Sequence, residues 1–170
     1  MWYARSGPYN GFMTGADYVD VMMREAQSGA PGRLQLTHWN AEHWSKLLGS
    51  TTVKPFRASE VVIQLGVNDR ALYLVAEGKL EVGVTMFDGV SVSSLARIEA
   101  GSVIGEQSFF DGEPRSANVW AVTDGALLRW EFEQYRRFGE EEPALARDFL
   151  FGIAQVLSSR LRLTTIRIRR

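Results

Sequence analysis

The chain has 170 residues, of which 45% are hydrophobic and 23% charged, and it contains no cysteine. This length suffices for one packed domain with an extension. Nineteen basic and twenty acidic side chains leave a net charge of −1, which provides no global field for binding nucleic acid or an anionic membrane. The lack of cysteine excludes disulfides and thiolate chemistry, and two histidines, His38 and His43, are too few for histidine-rich metal chemistry.

No apolar run is long enough to span a bilayer, and the N-terminus does not resemble a signal peptide, so we expect a cytoplasmic protein. Residues 1–36 are predicted to form an extension, because glycine and proline recur there and aliphatic residues are few. Thr14 and Asp17 have the spacing of a helix capping box, which predicts one helix inside this extension. We expect the helix to pack onto the main domain, residues 37–170.

A second short helix is predicted between an N-cap at Asn40 and a stop at Gly49. From residue 51 the apolar period changes to two, which predicts strands at about 53–57, 61–65, 71–76, 80–86, 117–122 and 126–130. Asp88 and Gly89 provide a hairpin turn after the fourth of these strands. Many short strands joined by glycine-containing turns favour a sandwich or a jelly roll over a parallel sheet.

The last third of the chain is predicted to be helical. Residues 132–138 have the pattern of a short helix, and Pro143 suits the first position of a longer one. Leu150, Ile153 and Leu157 follow at spacings of three and four, like a short coiled-coil seam.

The chemically informative segment is residues 101–117. Gly105 allows close approach to its backbone, and residues 106–110 have room for one helical turn whose free amides can bind phosphate. Arg115 can donate two hydrogen bonds to a phosphate, and the amides of Ser116 and the following residue add donors. Glu106 would be repelled by phosphate, so it suits a hydroxyl group on the same ligand.

This segment resembles the phosphate-binding cassette of the cyclic nucleotide-binding domain family. The residues that carry the resemblance are Gly105-Glu106, the nine-residue step from Glu106 to Arg115, and Pro114-Arg115-Ser116-Ala117. The regulatory subunits of cAMP-dependent protein kinase share this spacing, and the bacterial catabolite activator protein has the same Arg-Ser-Ala. The flanking strands and turn glycines follow the family's order over about residues 51–163. The resemblance implies a mainly β fold with flanking helices: a double-stranded β-helix (jelly roll) barrel over about 51–131 and C-terminal helices over about 132–166.

The resemblance also implies roles for individual residues. Arg115 would pair with the cyclic phosphate and Glu106 would accept a hydrogen bond from the ribose 2′-hydroxyl. The remaining candidates would supply backbone donors (Gly105, Gln107, Ser116, Ala117), walls for the base (Val82, Leu95) and base contacts on the last helix (Thr164, Thr165).

The function that the resemblance implies is a regulatory domain that senses a cyclic nucleotide and signals by moving its C-terminal helices. Ser116 together with Thr164 and Thr165 favours cAMP over cGMP as the ligand. The expected partners are the nucleotide, a second copy bound through the C-terminal helix, and an unknown effector protein; neither nucleic acid nor a metal is expected.

Two alternatives stay open at this stage. The chain could be a fragment or degenerate relative of a Crp/Fnr-type transcription regulator without its DNA-binding domain. It could also be an interaction module that binds no nucleotide, with Glu106 and Arg115 forming a structural ion pair. An enzyme is not expected, because a metal-dependent jelly roll needs histidines on its strands and none occurs after His43.

Overall fold

The computed structural model describes residues 13–85 and 92–168. Within these residues the chain forms five helices and eight strands. In chain order they are α1 (Gly15–Gln27), α2 (Ala41–Gly49), β1 (Thr52–Phe56), β2 (Val61–Ile63), β3 (Ala71–Glu77), β4 (Leu80–Thr85), β5 (Val92–Ile98), β6 (Val103–Ile104), α3 (Glu106–Asp111), β7 (Asn118–Ala121), β8 (Gly125–Glu131), α4 (Phe132–Glu141) and α5 (Pro143–Ile168).

The strands make two antiparallel four-stranded sheets, in the orders β1-β8-β3-β6 and β2-β7-β4-β5. These sheets face each other as a β-jelly roll, and the long helix α5 follows them, so the predicted fold class is confirmed. Strand β3 is apolar at nearly every position because both of its faces are buried. Its Leu72 and Leu74 pack against the helices, whereas Tyr73 and Val75 face the barrel interior.

The helices α1, α2, α4 and α5 share one apolar core outside the first sheet. Met22 of α1, Trp44 of α2 and Phe149 of α5 are all at most 1% exposed and belong to this core. The capping box of α1 forms as predicted between Thr14 and Asp17. Helix α1 therefore packs onto the same core as the rest of the chain, while the domain division at residue 36 stays a prediction.

The connection between α1 and α2 crosses α5 at a glycine. Leu34 and Leu36 lie against Gly152, where a Cβ atom would be 2.8 Å from the Leu34 Cδ1 atom. The amide of Leu34 also donates to the Gly101 carbonyl at 3.1 Å, next to the start of β6. The small residue in α5 thus lets the connection lie directly on the helix backbone.

Two details differ from the sequence prediction. Strand β6 was not expected, because two residues are too few to show a period of two. Strand β2 ends at Ile63, since the amide of Leu65 donates to the side chain of Asn118 and not to a backbone carbonyl of β7. The hairpin turn predicted at residues 88–89 lies outside the described residues.

The coiled-coil seam predicted on α5 also needs correction. Ile153 is fully buried in the chain's own core and Leu157 packs against that core. The side chains that face outwards at spacings of three and four are Phe151, Ala154, Ser158, Leu161 and Thr165, which we call the outer stripe. No helix in the described part of the chain is both long and apolar enough to cross a membrane.

Candidate ligand-binding site

A cavity of about 580 Å³ lies between the second sheet, helix α3 and the end of α5. Nine of the ten predicted site residues line it: Val82, Leu95, Gly105, Glu106, Gln107, Arg115, Ser116, Ala117 and Thr164. The tenth, Thr165, lies one residue further along α5, and its hydroxyl donates to the Leu161 carbonyl at 2.9 Å. The fold therefore brings together residues that are up to 82 positions apart in the chain, from 82 to 164.

Arg115 is the most buried charged residue of the cavity, with 3% of its surface exposed. Its Nη1 donates to the Gly105 carbonyl at 3.0 Å, and its Nη2 donates to the Ala71 carbonyl and the Asp69 carboxylate, both at 2.7 Å. Its Nε–H is buried and has no hydrogen-bond partner among the described residues. An unpaired buried donor is costly, so this atom favours an acceptor that enters the cavity.

The position of the Arg115 side chain requires glycine at residue 105. Its φ is +76°, in the left-handed region that favours glycine. A Cβ atom at this position would overlap the Arg115 Nη1 atom and come within 3.0 Å of the Ala71 carbonyl oxygen. The expected close approach therefore occurs, but the group that approaches Gly105 is the guanidinium.

Asp69, in the loop before β3, holds the arginine from behind. Its carboxylate accepts from Arg115 at 2.7 Å, from Arg129 at 3.0 Å and from the Tyr73 hydroxyl at 3.0 Å. Burial alone would raise the pKa of the Asp69 carboxyl. The hydrogen bond and charge of Arg115, aided by Tyr73 and Arg129, outweigh burial and hold the pKa below its usual value. Burial raises the pKa of the Tyr73 hydroxyl, which stays a proton donor to Asp69.

Glu106 lies at the start of α3 and is 6% exposed. Its Oε1 accepts from Nη1 of Arg160 on α5 at 2.7 Å. Nη2 of Arg160 also donates to the Val103 carbonyl at 2.7 Å. The arginine therefore ties α5 to the edge of the cavity and compensates the charge of the buried carboxylate.

The rest of the cavity is mostly aliphatic. Side chains from β2, β4, β5, β6, β7 and α5 form this wall: Ile63, Val82, Leu95, Ile98, Ile104, Val119 and Leu163. Thr164 adds a hydroxyl at its edge and donates it to the Arg160 carbonyl at 3.1 Å. One end of the cavity is thus charged and the other apolar, with one hydroxyl oxygen still able to accept a hydrogen bond.

Sequence reasoning missed two residues that complete the charged end. Arg160 has one signal that could have identified it, because it lies four residues before Thr164 and so on the same helical face. Asp69 has no such signal, since it is 46 positions from Arg115. Glu106 and Arg115 have different ionic partners, Arg160 and Asp69, which is not the arrangement of the alternative in which they pair with each other.

Aromatic rings connect the cavity with the C-terminal helices. Phe109, on the buried side of α3, makes edge-to-face contacts with Phe132 at 5.3 Å and Tyr135 at 5.4 Å between ring centroids. Tyr135 in turn contacts Trp130 at 5.4 Å, and Trp130 contacts Phe149 of α5 at 5.0 Å. Movement of α3 would therefore displace α4 directly and α5 through Trp130, because these rings are packed against one another.

These features define a jelly roll with a cavity that is charged at one end and aliphatic at the other. Groups of three or more metal-ligating side chains are absent from the described residues. The sequence profile of the cyclic nucleotide-binding domain family matches residues 53–142, more than half of the chain. The chain belongs to this family, whose members are regulatory ligand-binding domains.

Several known proteins are similar to it. A cyclic nucleotide-binding domain from Methylobacillus flagellatus has the same fold, with a TM-score of 0.77 and 22% identity over 91% of this chain and 84% of that one. The catabolite activator protein of Thermus thermophilus gives a TM-score of 0.66 and 27% identity over 85% of this chain and 61% of that one.

Two curated relatives are much longer than the matched region. The cyclic AMP receptor protein of Thermus thermophilus is 37% identical over 93 residues, which are 55% of this chain and 41% of the relative. Glutaminase 1 of Bradyrhizobium diazoefficiens is 27% identical over 122 residues, which are 72% of this chain and 19% of the relative. The chain thus spans less than half the length of either relative.

Proposed function

We propose that this protein is a sensor module for a 3′,5′-cyclic nucleotide, with cAMP preferred over cGMP, that signals through its C-terminal helices. The observation that carries the proposal is the buried guanidinium of Arg115, whose Nε–H lacks a partner at the edge of the cavity. We assign the site to binding and not to catalysis, because its charged residues are engaged in holding one another.

The cyclic phosphate is proposed to bind between Arg115 and the cassette. The described charged lining consists of Glu106, Arg115 and Arg160, which gives a formal charge of +1. A cyclic phosphodiester carries one negative charge and would neutralise it. Its oxygens would accept from the free Nε–H and from the first-turn amides of α3, which have no acceptor within the helix.

The ribose is proposed to lie between Glu106 and Arg160. Among the described residues only Oε1 of Glu106 has a side-chain partner, Arg160, so the carboxylate retains lone pairs for the 2′-hydroxyl. In this arrangement Arg160 orients the acid and closes the ribose side of the cavity from α5. We therefore propose Arg160 as a ligand-site residue in addition to the ten predicted from the sequence.

The base is proposed to occupy the aliphatic end, between Val82, Leu95 and Leu163. Because the Thr164 hydroxyl already donates to the Arg160 carbonyl, its oxygen is available mainly as an acceptor. An acceptor suits the exocyclic amino group of adenine. Together with serine at position 116, this supports cAMP as the preferred ligand.

The test is calorimetric titration with cAMP, cGMP and 2′-deoxy-cAMP of the native protein and of the Glu106→Gln variant. A hydrogen bond to a charged group contributes about 1.5–3 kcal/mol, so the native protein should bind cAMP about 10- to 150-fold more tightly than the 2′-deoxy compound. In Glu106→Gln this difference should shrink strongly.

Glu113→Gln is the matched control for this titration, because Glu113 is exposed, lies in the same cassette and does not line the cavity. It should bind both ligands as the native protein does. Absence of binding by the native protein, for cAMP and cGMP alike, would refute the proposed function.

Signalling is proposed to occur as a shift of α4 and α5 when the cassette closes on the phosphate. The edge-to-face contacts from Phe109 to Tyr135 provide the path. Hydrogen exchange of residues 132–163 should change on addition of cAMP. A nucleotide that binds without altering exchange in these helices would leave the binding proposal intact and remove the sensor proposal.

We also propose that the protein dimerises through the outer stripe of α5. This stripe exposes Phe151 at 66% and Leu161 at 68% on a helix of 26 residues, and Ala154 between them allows close approach of a second helix. Leu161→Glu should shift the mass measured by light scattering to that of a monomer. Val122→Glu, on the turn after β7, is the control that should leave the mass unchanged, and a native monomer with and without nucleotide would contradict the proposal.

The output of the module is proposed to be an effector protein or a further domain. The matched relatives, a cyclic AMP receptor protein and a glutaminase, carry the similar region within longer chains of different kinds. A shared module within unlike proteins is what a general sensor would show.

A further inference from the structure

Two consecutive residues in the loop before β3 connect the cassette with the start of α4. Arg70 donates from Nε to the Phe109 carbonyl at 3.0 Å and from Nη2 to the Phe110 carbonyl at 3.3 Å. Its guanidinium also stacks on the Phe132 ring, with Cζ 3.6 Å from the ring centroid. One side chain therefore holds both the last turn of the cassette helix α3 and the first residue of α4.

The preceding residue makes a second connection between the same two regions. The Asp69 carboxylate binds Arg115 and also Arg129 of β8. Arg129 forms an ion pair with Glu131, which is the N-cap residue of α4. An ionic chain thus runs from the phosphate-facing arginine to the N-cap of α4.

The two connections are parallel and end at adjacent residues. One connection runs from Asp69 through Arg129 to Glu131, and the other runs from Arg70 to Phe132. Neither Arg70 nor Arg129 lines the cavity. The guanidinium of Arg70 is hydrogen-bonded to two carbonyls of α3 and stacked on the ring of Phe132. A displacement of α3 that moves this guanidinium therefore also moves the Phe132 ring.

From this geometry we infer that the Asp69–Arg70 step is the coupler that converts closure of the cassette into movement of α4. Binding of phosphate to Arg115 changes its contact with Asp69, which shifts Arg129 against the N-cap. The accompanying displacement of α3 carries Arg70 and the Phe132 ring with it. Arg70 and Arg129 are positioning residues in this scheme. The inference rests on the proposed function, since the nucleotide is the trigger.

The experiment compares hydrogen exchange of residues 132–138 in the native protein, Arg70→Gln, Arg129→Gln and the double variant, with and without saturating cAMP. Each single variant should lose part of the ligand-induced change, and the double variant should lose most of it. Affinity for cAMP should change by less than about threefold in Arg70→Gln, because coupling can be lost without losing a ligand contact. Arg136→Gln is the control, since Arg136 lies on α4 with its side chain 57% exposed.

A ligand-free readout accompanies the titration. Without nucleotide, the backbone amides in the first turn of α4 should exchange several-fold faster in the double variant than in the control. The reason is that Glu131 has lost its ion pair with Arg129 and Phe132 has lost its contact with Arg70. Unchanged ligand-free exchange overturns the inference. So does a double variant that binds cAMP and shows the full native response. Failure of the native protein to bind any cyclic nucleotide is a different result, which refutes the proposed function.

Discussion

Substituting Arg115 with alanine tests the structural and the ligand-binding roles of this residue separately. The substitution removes three hydrogen bonds that the guanidinium donates, to Gly105, Ala71 and Asp69. Breaking a buried ion pair on one side costs about 3–5 kcal/mol. The loss here should lie at the lower end of that range, because Asp69 keeps Arg129 and the Tyr73 hydroxyl as partners.

The loss of ligand affinity should be larger than that of an ordinary contact. Removal of one partner from a desolvated charge pair costs about 2–5 kcal/mol, which corresponds to about 30-fold to several thousandfold in the dissociation constant. Arg115→Lys should recover little of this, because an ammonium cannot span the Gly105 carbonyl, the Asp69 carboxylate and a phosphate at once.

Thermal unfolding with and without cAMP measures both effects in one assay. At a ligand concentration of one hundred times the dissociation constant, binding stabilises the native protein by about 2.7 kcal/mol, or about 5–11 °C in Tm for a chain of this size. At the same concentration a loss of affinity of about 30-fold would leave Arg115→Ala about a third of the native ligand-induced stabilisation, and a larger loss would leave less. Arg24→Ala, which changes an exposed arginine of α1, should show the native shift. A folded Arg115→Ala protein with the native shift would refute the assigned role of the guanidinium.

Three further predictions concern Gly105, Asp69 and the core residue Met22. Gly105→Ala should destabilise the fold and weaken cAMP binding at least tenfold. A left-handed φ costs about 1–2 kcal/mol in a non-glycine residue, and the new methyl group displaces Arg115. The control is Gly139→Ala, whose Cβ would lie 3.7 Å from its nearest neighbour and which should bind cAMP normally. Asp69→Asn should be less stable than the native protein at pH 7 by denaturant unfolding. The pKa of Asp69 is lower in the folded protein than its unfolded value of about 3.9. The stabilisation from the ionised carboxylate is therefore complete above about pH 3.9 and is lost as the pH falls through the folded-state pKa, so the difference in unfolding free energy between the two proteins should narrow in acid. A constant difference down to about pH 2 would contradict the assignment. Met22→Ala, in the part of the chain predicted to be an extension, should cost about 2–5 kcal/mol because Met22 is 1% exposed in the main core, whereas a loss below about 0.5 kcal/mol would show that α1 is dispensable.

The sequence predicts the barrel well because its signals are local. In the sequence of strand β4, the apolar residues Leu80, Val82 and Val84 alternate with Glu81 and Gly83. The caps at Thr14 and Asn40 each depend on residues three positions apart. The cassette is similarly local, since seven of the residues that line the cavity lie within 13 consecutive positions, 105–117: Gly105, Glu106, Gln107, Ser108, Arg115, Ser116 and Ala117. Local patterns of this kind can be recognised in a sequence without knowledge of the tertiary structure.

The parts of the site that the sequence does not predict depend on contacts between distant segments. Asp69 and Arg160 reach the cassette from loops and helices 46 and 54 positions away. Both belong to residue types that are normally exposed, so neither burial nor periodicity distinguishes them from the other charged residues of the chain. The seam on α5 was placed on the wrong face for a related reason, because an apolar heptad pattern does not reveal which partner it packs against.

The charge pattern of the cavity explains why Glu106 needs a partner when no nucleotide is bound. A carboxylate that is 6% exposed is costly unless a cation or hydrogen-bond donors compensate it. Arg160 provides this compensation from α5 through its ion pair with the carboxylate. A ribose hydroxyl that donates to the same carboxylate makes Arg160 less essential for compensation without removing it. In the proposed complex, binding at Glu106 would change which groups hold Arg160 and the end of α5. We therefore expect the ligand signal to reach that helix from the ribose side as well as from the phosphate.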